Sequence, residues 1–238
     1  MSVLIVTGTG TEVGKTVVTA ALAALAADRG TAVAVVKPAQ TGVRAGELGD
    51  VDLVRDLSGV DDVHELSRYA DPLAPVSAAR RAGLPTPDLG TVAVAVRRLQ
   101  ADRGLVLVEG AGGLLVRYDH DGSTLADLAR TLAAPVLVVT TAGLGTLNAT
   151  ALTLEVMANR GLDLAGIVVG SWPAEPDLAA RSNIVDLELL AARPLAGAVP
   201  AGAGLLGTGQ FLQIARSSLE PALGGAFNAA EFRRRYAV

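Results

Sequence analysis

Short unbroken apolar runs alternate with longer alanine-rich or amphipathic segments along most of the chain. Residues 3–7 (VLIVT), 32–37 (AVAVVK), 105–109 (LVLVE), 136–141 (VLVVTT), 164–170 and 195–199 are such runs. They are rich in β-branched residues and lack strict alternation, as strands covered on both faces require. Between them, residues 15–29, 50–57, 88–102, 124–134, 146–159 and 177–192 carry helical patterns, the first closed by Gly30 as a C-cap. The apolar segment 114–118 predicts a further short strand, and residues 38–50 a loop bearing Gly42, Gly46 and Gly49. Pro72, Pro75, Pro85 and Pro87 mark an irregular stretch, and one or two helices close the tail. Strands that alternate with helices predict crossover units: an α/β fold with a mostly parallel sheet and helices on both faces. With no repeat, linker or shift in composition, the expectation is a single domain over residues 1–238.

Composition sharpens this in three places. The 238 residues contain no Cys, which removes a disulfide framework, a thiolate metal site and a Cys nucleophile. A formal net charge of −4 argues against non-specific nucleic-acid binding. The longest apolar run, 20–27, falls far short of the ~20 residues of a membrane span. With no secretory pattern at the start, a cytoplasmic protein is expected. Aromatic residues make up only 3%, which suits strands packed closely by helices rather than a β-sandwich.

Lys15 and Lys37 are the only lysines among 20 basic residues. A compact ammonium on a flexible stem serves as a point charge for a small anion where a planar guanidinium is bulkier. Lys15 lies in GTGTEVGKT (Gly8 to Thr16), between the first strand and the first helix. Backbone N–H groups of such a loop and the helix N-terminus cradle phosphates. Lys15 would neutralise the β and γ phosphates, and the Thr16 hydroxyl would coordinate Mg²⁺. The first glycine stands one residue earlier than the common spacing, since position 9 is Thr.

Ligands of open parallel sheets collect at the carboxyl ends of strands. Glu109 ends its strand there and is the candidate carboxylate for the ion; Asp50 and Asp52 follow the loop after the second strand and compete with the role of helix cap. Lys37 ends the second strand, so two ammonium groups converge beside the phosphate loop. This predicts a strongly positive pocket holding a second anion near the γ phosphate, positioned by Thr41 and the turn at Gly42.

Four segments together resemble the dethiobiotin synthetases: GTGTEVGKT, KPAQTG (Lys37 to Gly42), VEGAGGLLV (Val108 to Val116) and GLGTLNAT (Gly143 to Thr150). The likeness spans residue 1 to about 205, and the longer phosphate loop is typical of that family. The resemblance implies a P-loop NTPase-type fold and an ATP-dependent cyclo-ligase of biotin synthesis. In that reaction 7,8-diaminononanoate takes up CO₂ as a carbamate, the γ phosphate activates the carbamate, and the second amine closes the ring. The products are dethiobiotin, ADP and phosphate.

By motif position, Lys15, Lys37 and Thr11 would act on the transferring phosphoryl group and the carbamate, and Thr41 would bind substrate. Thr16, Asp52 and Glu109 would hold Mg²⁺, with Asp52 preferred over Asp50. Glu12, Val13, Gly14 and Val17 complete the loop side of the nucleotide site, and Gly110, Ala111 and Gly112 the side beyond Glu109. The family implies a homodimer in which the substrate carboxylate reaches the partner at Leu144, Gly145, Thr146 and Asn148.

One departure concerns the base. Many members of the family place an Asn where this chain has Ser171, and a hydroxyl offers less to adenine than an amide. Base contacts then fall to backbone at Gly170, Ser171, Pro200, Ala201 and Gly202, and relaxed nucleotide choice, with CTP used as well as ATP, is the expectation. Two rivals are weaker. A cobyrinate-type amidating synthetase would carry a Cys-bearing glutaminase domain. A partition-type ATPase switch would carry a signature lysine where Gly10 stands.

Overall fold

A computed structural model describes residues 3–238; Met1 and Ser2 lie outside the described residues. In chain order, β1 (Val3–Gly8) leads into α1 (Lys15–Asp28), and β2 (Val33–Lys37) and β3 (Gln40–Thr41) precede α2 (Asp50–Ser58). β4 (Val63–Glu65), β5 (Arg68–Tyr69), α3 (Pro75–Ala82) and α4 (Leu89–Asp102) follow, then β6 (Leu105–Gly113) and α5 (Leu125–Leu132). β7 (Val136–Thr140), α6 (Thr146–Asn159), β8 (Leu164–Trp172), α7 (Leu178–Ala191) and β9 (Gly197–Pro200) complete the alternation. α8 (Thr208–Ser218) and α9 (Ala229–Tyr236) close the chain.

Seven strands form one sheet in the order β4-β2-β6-β1-β7-β8-β9, and every pairing in it is parallel. A separate parallel pair, β3-β5, sits beyond the end of β2. The central strands bury both faces, so alternate residues feed two cores. Val3 and Ile5 pack into the core shared with α3 to α7, whereas Leu4 and Val6 pack against α1, α2 and α8. Helix α1 is buried along most of its length, from Val18 to Ala26, because it is sandwiched between the sheet and the outer helices α2 and α8. Its alanines permit that close approach.

The sequence patterns locate these elements with four exceptions. β6 continues past the expected end at Glu109 through residues 110–113. Residues 114–118 form no strand. Leu114 and Tyr118 are buried and Leu115 is exposed, but β1 and β2 already flank β6, so the segment turns away and pairs only through an isolated bridge, Arg117 with Thr124. The short β3, β4 and β5 fall in stretches too brief and too polar for periodicity to register. The proline-rich stretch holds a true helix, α3, with Pro75 in its first turn, where the missing N–H costs nothing.

The C-terminal segment belongs to the fold. Phe211 of α8 is fully buried against the α1 face. Trp172, at the end of β8, meets Phe232 and Tyr236 of α9 edge-on at 4.8 and 5.3 Å between ring centres. Among the described residues no helix is long and apolar enough to cross a membrane.

Truncating Phe211 to Ala removes a ring from that closed interior and is expected to cost about 3–5 kcal/mol. Urea unfolding measures this. A loss under about 1 kcal/mol would show that α8 is an appendage.

Candidate active site

The strand order sets the site. β6 lies between β2 and β1, with Val36 level with Val108 and Val6 level with Glu109. Lys37, Glu109 and the loop after β1 therefore emerge side by side at the carboxyl edge. That loop is tightly built. A Cβ on Gly14, which sits at φ +94°, would meet the Gly170 carbonyl oxygen at 2.5 Å, so only glycine allows β8 to abut the loop. Glu12 is held at φ +59°, a strained conformation of the kind that clusters at ligand-binding sites.

The loop, the ends of β2 and β6, and residues 72–75 enclose a cavity of about 840 Å³. Inside it, Lys37 Nζ donates to Glu109 Oε1 at 2.6 Å, pairs with Asp50 Oδ2 at 2.5 Å and reaches the Gly110 carbonyl at 3.4 Å. Thr16 Oγ1 donates to the same Glu109 oxygen at 2.9 Å. Lys15 Nζ lies back across the loop onto the Gly10 carbonyl at 2.9 Å. Burial, and then the charge of Lys37, push the Lys15 ammonium down to about 8. Burial also works against charge on Lys37, but Glu109 and Asp50 outweigh it and hold that ammonium protonated above the usual lysine range.

The cavity is thus not the strongly positive pocket the two lysines predict. Asp50 and Glu109 pair with Lys37, because a buried ammonium without a partner costs several kcal/mol, and Glu12 adds a third carboxylate to the lining. Asp52, the sequence-based choice, points elsewhere: its Oδ2 accepts the Gly49 N–H at 2.8 Å as the N3 residue of a helix cap, and its Oδ1 pairs with Arg55 at 2.9 Å. These contacts, the Gly49 N–H first among them, hold the Asp52 carboxyl below the usual range. Of the two aspartates, the one facing Lys37 is Asp50.

Of the residues singled out in the sequence, Thr11, Glu12, Gly14, Lys15, Thr16, Val17, Lys37, Thr41, Glu109, Ala111 and Gly112 line the cavity. Gly170 touches the loop through Gly14, Ser171 is exposed, and the Pro200–Gly202 turn runs beside it, with the Ala201 N–H on the Trp172 carbonyl at 2.8 Å. Leu144, Gly145 and Asn148 stand exposed at the start of α6, outside the cavity lining. Thr146 faces inward instead. Its hydroxyl donates to the Thr141 carbonyl at 2.7 Å and meets Thr140 Oγ1 at 2.6 Å, so it has no hydroxyl to offer a ligand.

Sequence reasoning missed Gln40, Val43, Pro72, Leu73, Pro75 and Val116 in the lining. Gln40 could have been suspected, as a polar residue inside the KPAQTG segment. The others come from stretches without period.

A Gly-Lys-Thr loop between a buried parallel strand and a buried helix, with a carboxylate from the adjacent strand on the Thr hydroxyl, defines a P-loop nucleotide-binding protein. Among solved structures, the cell division ATPase MinD of Pyrococcus furiosus is similar with a TM-score of 0.53 at 22% identity over 89% of each chain. A ParA family ATPase of Chlorobium tepidum gives 0.55 at 14% identity over 90% of this chain and 91% of that one. Likeness at that distance concerns the fold. Residues 2–206 match the family described as an AAA domain. The chain is 72% identical over 236 residues to the ATP-dependent dethiobiotin synthetase BioD of Frankia casuarinae, covering 99% of both. It is 60% identical over 228 residues to the protein of that name from Saccharopolyspora erythraea, covering 96% of this chain and all of the other. The chain belongs to this AAA domain family and to the ATP-dependent dethiobiotin synthetases.

Replacing Asp52 with Ala removes a helix cap and is expected to lower unfolding free energy by about 1 kcal/mol. Chemical denaturation checks it, and a loss beyond about 3 kcal/mol would mean Asp52 holds more than the start of α2.

Proposed function

We propose that the chain makes dethiobiotin from 7,8-diaminononanoate, CO₂ and ATP with Mg²⁺. The observation that carries this is the pairing of two buried lysines, Lys15 and Lys37, in one cavity at the P-loop. Triphosphate hydrolysis needs the first; a second ammonium suits a reaction in which an anionic carbamate must meet an anionic phosphate. On this reading Lys15 and Lys37 together stabilise the transferring phosphoryl group and the carbamate. Thr11 and Thr41 line the same cavity; by the same reading Thr11 acts on the phosphoryl group and the carbamate, and Thr41 binds the diamine. Attack of the free amine on the activated carbamate carbon then closes the urea and expels phosphate.

The donors fit Mg²⁺. Thr16, Glu109 and Asp50 offer a hydroxyl and two carboxylates around one cavity, and this ion takes one or two carboxylates together with substrate phosphates. Thr16 and Glu109 are retained from the sequence reading, with Asp50 in place of Asp52. When bound, the ion neutralises phosphate charge.

A second copy of the chain completes the reading. Helix α6 buries only Thr146, Thr150 and Met157 fully, with Leu147, Leu154 and Val156 partly covered by the core. Leu144 beside it is 90% exposed and Leu152 57%. On this reading a partner covers these leucines, which would bring the exposed start of α6 to the cavity of the other subunit.

At the base end, Ser171 presents a hydroxyl where an amide would read adenine, and backbone at Gly170 and the Pro200–Gly202 turn remains for recognition. We infer relaxed base choice, CTP included.

Purified protein with diaminononanoate, bicarbonate, Mg²⁺ and ATP is expected to yield dethiobiotin by mass spectrometry. Lys37→Gln, shown by circular dichroism to be folded, is expected to lose about 10²–10³ in kcat. Triphosphate hydrolysis without dethiobiotin would move the reading to an ATPase switch. Comparison of kcat/KM should place CTP and GTP within about 10² of ATP; a preference of ~10³ or more for ATP would refute relaxed choice.

A further inference from the structure

Asp50 reaches Lys37 at the end of an exposed loop, residues 42–49, and exposed loops are mobile unless tied down. The ends of this one are tied by the Gly42 N–H on the Asp71 carbonyl and the Gly49 N–H on Asp52, and one side chain outside the cavity grips its middle. Arg68 of β5 uses both edges of its guanidinium. One edge pairs with Glu65, Nε to Oε1 at 2.5 Å and Nη2 to Oε2 at 2.8 Å. On the other, Nη1 donates to the Glu47 carbonyl at 2.6 Å and the Arg44 carbonyl at 3.0 Å. The fixed fork of a guanidinium makes such two-sided bonding possible, and an ammonium cannot reproduce it.

The geometry continues to Asp50. A Cβ on Gly49 would meet Arg68 Nη2 at 3.0 Å, Gln40 Oε1 at 3.1 Å and Glu65 Oε2 at 3.1 Å; the backbone before Asp50 lies directly on the clamp. Gln40 Oε1 accepts the Asp50 N–H at 2.9 Å. The frame beneath is the sheet, since β2 pairs Lys37 with Glu65 and β3 pairs Gln40 with Arg68. The residue that holds the clamp's carboxylate is thus the strand partner of the lysine that Asp50 must reach.

We propose that Arg68 is a positioning residue that sets the Asp50 carboxylate against Lys37 and the metal–triphosphate, by clamping the loop 42–49 onto Glu65. This rests on the reading of Asp50 as a holder of Mg²⁺. Arg68 itself does not line the cavity, so it acts through Asp50.

The test is calorimetric binding of a non-hydrolysable ATP analogue at several Mg²⁺ concentrations, which needs no turnover. Arg68→Gln is expected to weaken Mg²⁺-dependent binding about tenfold or more, and to add less than about twofold in a protein that already carries Asp50→Asn. Amide exchange of residues 42–50 should quicken in Arg68→Gln while that of β1 and β7 is unchanged. Arg68→Lys keeps one bond to Glu65, loses the fork and should fold, with most of the same loss in binding. Equal factors with and without the Asp50→Asn replacement, or an Arg68→Lys protein that binds like wild type, would overturn the proposal alone. An Asp50→Asn protein with unaltered Mg²⁺ dependence would overturn the reading of Asp50 and the proposal with it.

Discussion

An ammonium group buried at the end of a central strand governs this site. Lys37 is 3% exposed and Glu109 1%, and such charges are held only by partners: Lys37 by Glu109 and Asp50, Glu109 by Lys37 and the Thr16 hydroxyl. That requirement is met by the strand order. Inserting β6 between β2 and β1 puts the Glu109 carboxylate between Lys37 on one side and the start of α1 on the other, where Thr16 shares the same oxygen. Asp50 completes the set from the start of α2, which follows a loop that the main sheet does not hold, and Arg68, Glu65 and Gln40 supply the missing rigidity.

How much of this could be read beforehand follows from the range of the interactions. The phosphate loop, its strand and its helix are adjacent in sequence, so spacing and glycine placement expose them. Lys37 and Glu109 could be placed because each ends an apolar run, and strand ends of a parallel sheet gather ligands. Asp50 and Asp52 are a different matter. They sit in the first turn of one short helix, and a two-residue offset turns a side chain to the far side. Which one faces Lys37 depends on how Gly49 enters that helix, and this is settled by Gln40 and Arg68 on other strands. Charge balance was hidden for the same reason: Glu109 and Asp50 could be suspected as holders of an ion, but that they pair with Lys37 appears only when the fold brings them together. Residues 114–118 show the converse, an apolar run that reads as a strand but follows β6, whose two sides β1 and β2 already occupy.

The fold alone does not choose the chemistry. Partition-type and cell-division ATPases share this sheet, and function resides in the groups grafted on its edge. On this chain those groups are the second lysine at the end of β2, the lining residues Val43, Pro72 and Val116, and the exposed start of α6. The second ammonium here stands at the end of β2 rather than inside the phosphate loop, and the joining of two anions gives it a use that triphosphate hydrolysis alone does not.

The most direct measurement is a double-mutant cycle on unfolding free energy with Lys37→Gln and Glu109→Gln. Each single replacement leaves a buried charge short of a partner and should cost about 3–5 kcal/mol. The double replacement should recover at least about 2 kcal/mol of the summed loss. Strictly additive losses would contradict the account, because the two charges would then not be sustaining one another.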